Sequence, residues 1–325
     1  MLQYLIVLLD DTCTSFCHYS NTEIERKLIS LDNLKAGIFY AMKENLMIQF
    51  VFPDYELPKE YKETIESIDH NKIVSSLCDD MAIKQNADVV IFNNWIELES
   101  YRISSNQAYV LRTCKSDFFD NFRTINSVMK QIFRLNIVFI DIEAFTDDDF
   151  EEYKKALLLL SENIKQLYVD RFSPQLNLLT DRILLDKMNN CNAGYKSITL
   201  APDGKFYICP AFYNADDDFG LGNAKFNVGS LVDGVDIKNS QLYKPSHAPI
   251  CRVCDAYQCK RCIWLNRKTT YEINTPSHEQ CVVAHIERNA SEYLLNEIRE
   301  HGTFMPKQEI KEISYLDPFD VIKDF

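Results

Sequence analysis

The sequence predicts an α/β fold, a partial (βα)6 barrel followed by a small cysteine-rich domain, and three observations carry that prediction. In the first half, short apolar β-branched runs alternate with amphipathic helical patterns, which is how a parallel sheet with crossover helices reads. Seven of the 11 cysteines crowd between residues 191 and 281. A chain of 325 residues, 46% hydrophobic, can bury roughly three quarters of its unfolded surface without help, so the cysteines are not needed as disulfide staples.

Taken in order, the expected strands are Tyr4 to Leu9, Met47 to Phe52, Asp88 to Phe92, Ala108 to Arg112, Asn136 to Asp141 and Leu176 to Leu179. Between them, Leu31, Leu34, Ile38 and Ala41 line one helical stripe. Phe118, Phe122, Ile125, Met129 and Ile132 line a second, each at the three-and-four spacing that puts side chains on one face. A third helix starts at Thr146, whose hydroxyl can cap while Asp149 follows three residues on, and runs to about Tyr168. Residues 93–107 are too irregular to read as a crossover helix. After Pro174 turn residues replace long periodic segments, as in Pro202-Asp203-Gly204, before a last helix from about Val283 to Arg299. The division expected is 1–180 for the barrel, 181–300 for the cysteine-rich domain with its helix, and an acidic tail over 301–325.

Composition removes several classes of function. The net charge of −13 argues against nucleic-acid and anionic-membrane surfaces, which need a basic footprint. The apolar run Tyr4 to Leu9 is too short to span a bilayer and has no cleavage signal behind it, so a cytoplasmic protein is expected. Only Gly37 of the 8 glycines precedes residue 194, which leaves no glycine-rich phosphate loop in the barrel.

The chemistry is concentrated in the cysteines. Cys251, Cys254, Cys259 and Cys262 form a C-x2-C-x4-C-x2-C run, with Cys281 beyond it and Cys191 and Cys209 before it. Thiolates are soft ligands, and a two-residue gap turns both sulfurs of a pair toward one centre, so zinc and iron-sulfur both suit the spacing. Seven cysteines exceed one tetrahedral site. Cys78 and Cys114 have no nearby base in sequence and read as packed thiols. Asp10, Asp11, Asp141 and Glu143 sit at strand carboxyl ends, where barrel sites are built, although acidic loop ends are common in any fold.

This arrangement resembles the SPASM domain of radical SAM peptide-modifying enzymes, whose pattern is C-x(9-15)-G-x4-C, then C-x2-C-x5-C-x3-C, then a last cysteine. Cys191, Gly204 and Cys209 fit the first part, the middle run departs by one residue in each of two gaps, and Cys281 supplies the end. The resemblance implies a complete 4Fe-4S cluster on Cys251, Cys254, Cys259 and Cys281. It implies a second, incompletely ligated one on Cys191, Cys209 and Cys262, with Asp186 near the place of the missing ligand.

Radical SAM barrels carry C-x3-C-x2-C after the first strand; here Cys13 and Cys17 remain, His18 follows, and Ser20 replaces the third cysteine. Where that family has a Gly-Gly-Glu-Pro segment gripping SAM, this chain reads Pro53-Asp54-Tyr55-Glu56-Leu57-Pro58. Ordinary SAM cleavage is therefore not expected. Over nearly its whole length the chain is similar to the CXXX repeat peptide maturase family, which implies a cysteine-rich, ribosomally made precursor peptide as partner. The competing expectations are a non-catalytic peptide-binding protein serving a partner modification enzyme, and a zinc-organised scaffold.

Overall fold

The computed structural model describes residues 2–21, 23, 25–188, 190–214 and 226–302. The tail expected over 301–325 lies, from residue 303 on, outside the described residues. In chain order come β1 (Tyr4–Leu8), α1 (Leu31–Lys43), β2 (Met47–Val51), α2 (Lys59–Ile65), β3 (Asn71–Ser75), α3 (Met81–Gln85) and β4 (Val89–Phe92). There follow α4 (Trp95–Ser100), β5 (Ala108–Thr113), α5 (Lys115–Asn121), α6 (Ile125–Val128), β6 (Arg134–Phe139), α7 (Asp147–Val169), β7 (Gln175–Leu176) and α8 (Asp181–Leu184). The last group is β8 (Ser197–Leu200), β9 (Lys205–Tyr207), α9 (Ala211–Asn214), β10 (Asn227–Ser230), β11 (Gly234–Val235), α10 (Ile263–Thr270) and α11 (His278–Glu300).

The chain divides into two compact units, residues 1–91 with 191–247 and residues 92–190 with 248–325. In the first unit β1 pairs in parallel with β2, β2 with β3 and β3 with β4, while β8 joins the other side of β1, also in parallel. β9 and β10 continue from β8 antiparallel, ending in the short β10–β11 hairpin. Leu5, Val7, Phe50, Val74 and Ile198 are all buried, as both-face-covered parallel strands require. Helix α1 is capped by Ser30, whose side chain accepts the Asn33 N–H. It approaches β8 so closely that a Cβ on Gly37 would stand 2.4 Å from Leu200.

The second unit has β5 parallel to β6 and β6 to β7. Its core is aromatic: Phe118, Phe139, Phe145 and Tyr153 pack edge to face at centroid distances of 5.1 to 5.9 Å. Helix α7 opens with a full capping box between Thr146 and Asp149 and lies along α11.

Three expectations are refined by the structure. A strand at Asn71–Ser75 was not expected, because its polar start leaves only Ile73 and Val74 as apolar markers. The stripe from Phe118 to Ile132 is broken into α5, a 3-10 turn over Phe122–Thr124, and α6. Residues 93–107 do hold a short helix, α4, started by Asn94, which caps Glu97 N–H.

Candidate functional site

In the first unit, β1 delivers Asp10, Asp11 and the cysteine loop. Asp10 is fully buried: one carboxylate oxygen accepts the backbone N–H and the hydroxyl of Thr12 at 2.9 and 2.5 Å, and the other accepts the Tyr55 hydroxyl at 2.8 Å. The Arg26 guanidinium stacks 4.2 Å over the Tyr55 ring. Asp11 accepts the Tyr213 hydroxyl at 2.5 Å, and burial pushes its carboxyl above the ordinary range. The Pro53 to Pro58 segment thus supplies a tyrosine to the strand end.

Cys13 turns into the core. Its thiol donates to the Val51 carbonyl at 3.1 Å and accepts the Asp10 N–H at 3.4 Å, and burial raises it far above the usual thiol range. Cys17 is half-buried and Ser20 is exposed. These residues do not fit a three-thiolate cluster: one candidate sulfur is spent on a backbone carbonyl, and the third position holds a hydroxyl, a poor ligand for iron beside thiolates.

In the same unit Cys191 is exposed, and Cys209 follows β9, within electrostatic reach of Tyr243. The β8–β9 hairpin before Cys209 turns at Gly204, whose φ of +79° suits glycine, and Asp203 accepts the Lys205 N–H and the Tyr207 hydroxyl.

The second unit holds the other five cysteines of the group. Cys251 and Cys281 are buried, and Cys254, Cys259 and Cys262 are half-buried as whole residues. Cys281 rides in the first turn of α11, which Ser277 caps. The 254–259 loop is tied to the same helix twice. The Gln258 amide donates to the Ala284 carbonyl at 2.6 Å, and the Cys254 sulfur lies 3.5 Å from Nε2 of His285, one turn beyond Cys281. Burial pushes the Cys251 thiol up to about 11, against the pull of the Arg261 guanidinium, and the Cys259 thiol up to about 12, with Cys251 adding to the effect. Cys262 caps α10, its sulfur accepting the Leu265 N–H at 3.5 Å.

Around these thiols stand charged groups that sequence reasoning did not single out. Arg182 and Arg261 are the largest of the fully buried side chains. Asp255 accepts from Arg288 at 3.1 Å and faces Arg182 at 3.8 Å. Glu287 accepts the Tyr153 hydroxyl at 2.8 Å, and burial pushes its carboxyl up to about 7. Asp255 and Arg261 were findable as charges inside the cysteine run; Arg182, some 70 residues upstream, left no local signal.

Among the described residues, no three His, Cys, Asp or Glu side chains are close enough to share one metal ion, so the thiols are neighbours and not a formed cage. What suits a soft metal is the chemistry of the donors: Cys251, Cys254, Cys259 and Cys281 are thiols of one unit, which also buries the guanidiniums of Arg182 and Arg261. The other residues weighed above have structural partners. Asp141 accepts the Lys115 N–H, Glu143 pairs with Lys268, the Cys114 sulfur meets the Ser116 hydroxyl at 3.1 Å, and Cys78 is buried. No described helix is long and apolar enough to cross a membrane.

No protein-family model matches the chain, and no curated protein matches it in sequence. Solved structures do. The chain is similar to native anSMEcpe with bound AdoMet, at 13% identity and a TM-score of 0.58, over 91% of this chain and 99% of that one. It is also similar to anSMEcpe with bound AdoMet and the Cp18Cys peptide (13% identity, TM-score 0.57, 92% and 100% covered) and with the Kp18Cys peptide (12%, 0.56, 91% and 99%). At such identity the likeness is one of fold. The chain shares the mixed α/β fold of those structures, with its parallel strands and covering helices.

Proposed function

We propose that this protein is a cytoplasmic maturase of the SPASM type, which binds a cysteine-rich, ribosomally made precursor peptide and holds iron-sulfur centres on the cysteines of its 181–300 region, without ordinary SAM cleavage. The observation that carries this reading is the thiol set of the second unit, where the Cys254–Cys259 loop is fastened to the helix that bears Cys281. Cys251, Cys254, Cys259 and Cys281 would hold the complete cluster. When bound, such a centre supplies one-electron redox capacity and, at an open iron, soft coordination of a peptide thiol. The residues of this chain do the rest: Gln258 and Ser277 fix the two cysteine-bearing segments on α11, and Arg261 favours the thiolate form of Cys251. For the second, incompletely ligated cluster on Cys191, Cys209 and Cys262 the support is the order of cysteines in sequence.

A second reading, a peptide-binding protein that serves a partner modification enzyme, is favoured by the amino-terminal loop, where the Cys13 thiol and the Asp10 carboxylate are already committed. Anaerobic reconstitution with iron and sulfide, followed by metal counts, peptide titration and assay of 5′-deoxyadenosine, tests both. Iron and labile sulfide in the carboxyl-terminal cysteines, with peptide binding lost when the peptide's cysteines become serine, supports the maturase. Stoichiometric zinc without sulfide would replace it with the zinc scaffold. Steady 5′-deoxyadenosine release, lost in Cys17→Ala, would restore a working SAM site. Peptide affinity with an unaltered peptide would favour the binding protein.

A further inference from the structure

Arg182 is 2% exposed, and burying a guanidinium costs several kcal/mol unless an anion faces it. Its neighbours fall short of that. Asp255 stands 3.8 Å away, beyond hydrogen-bond distance, and its other oxygen already accepts from Arg288 at 3.1 Å, so two guanidiniums share one carboxylate. The Tyr257 ring covers one face of Arg182 at 4.1 Å but accepts no N–H in its plane. Nε and Nη2 of Arg182 are buried without a hydrogen-bond partner among the described residues. After Asp255, Tyr257 and Arg288, the Cys254 sulfur also lies within electrostatic reach of Arg182.

A neutral thiol gives such a group little. Four thiolates on a divalent metal, or on an oxidised 4Fe-4S cube, leave a dianionic centre. We propose that Arg182 is the built-in counter-charge of a metal centre on Cys251, Cys254, Cys259 and Cys281, a positioning residue whose buried Nε and Nη2 have no hydrogen-bond partner among the described residues. The proposal rests on the thiolate-metal reading above and adds which residue tunes it. A positive charge there holds the anionic, loaded state, and favours the reduced cluster, which carries one more negative charge. Asp255 acts in the opposite sense: it partly neutralises Arg182 and Arg288.

The test uses the full chain with Arg182→Gln, Arg182→Lys and Asp255→Asn. Zinc affinity is measured by competition with a chromophoric chelator, and the midpoint potential by redox titration after anaerobic iron and sulfide reconstitution. Arg182→Gln is expected to weaken zinc on the order of tenfold, the effect of one unit charge at close range in a screened interior, and to move the potential negative. Arg182→Lys should recover most of both. Asp255→Asn should move both the other way, a sign that general loosening of the fold would not produce, and one that keeps the test valid if Arg182→Gln fails to fold. Equal values for wild type and Arg182→Gln, a lysine variant as impaired as the glutamine one, or Asp255→Asn shifting in the same direction as Arg182→Gln would overturn the proposal. A wild-type protein that takes up neither iron nor zinc would instead overturn the metal reading beneath it.

Discussion

Single thiols in this chain differ in what they are free to do. Cys191 is exposed, whereas Cys13 is buried and donates to the Val51 carbonyl, so alkylation of the metal-free native protein should label Cys191 first and Cys13 only on unfolding. Differential labelling read by mass spectrometry checks this; equal rates would mean that the Cys13 loop opens readily. Glu287 gives a pH dependence of definite sign. Its carboxyl is raised from about 4.5 to about 7 by burial, so the folded state holds a proton that the unfolded state releases. The stability tied to that proton is complete below about pH 4.5 and is lost as pH rises through about 7. At one pK unit per 1.4 kcal/mol the loss amounts to about 3 kcal/mol at most. Metal-free protein should therefore weaken between pH 5 and 7.5 in urea titrations, and Glu287→Gln should flatten that slope; an unchanged slope would place the proton elsewhere.

At the scale of elements, the capping residues are the sharpest handles. Thr146→Ala removes the hydroxyl half of the α7 capping box and should cost about 1 kcal/mol, with Thr146→Ser close to wild type in chemical denaturation. Gly229 stands at φ +129°, and a Cβ there would meet the Gly234 carbonyl at 1.9 Å. Gly229→Ala should thus disrupt the β10–β11 hairpin, seen as lost amide protection over 227–235. The elements legible in the sequence were those with periodic or capping chemistry of their own: β1, β2, α1, and above all α7, whose start at Thr146 is written in the spacing to Asp149. The illegible ones were short and held by neighbours. β3 exists because Gln49 to Val51 of β2 pair with Asn71 to Ile73; α11 begins five residues before its apolar stripe because Ser277 caps it. The site followed the same rule. The cysteines announced themselves by number and spacing, but Arg182, Glu287 and His285 became visible only when tertiary packing brought them to the thiols.

For the molecule as a whole, metal and fold should be linked, because the cysteine-bearing segment 251–262 has only the 3-10 turn Cys251–Val253 as regular structure of its own. Anaerobic metal loading should raise the thermal midpoint and slow hydrogen exchange over 248–300, and a strong chelator should reverse both; identical melting with and without metal would make the thiols passengers. The net charge of −13 further predicts that the protein passes through a heparin column at physiological salt, and retention would reveal a basic patch not apparent in the composition. The long helix α11 carries Cys281 in its first turn and is fastened to α7 further along by Glu287, Lys165–Glu297 and Tyr293–Glu162. Oxygen damage at that sulfur would thus be felt along the seam between the two longest helices.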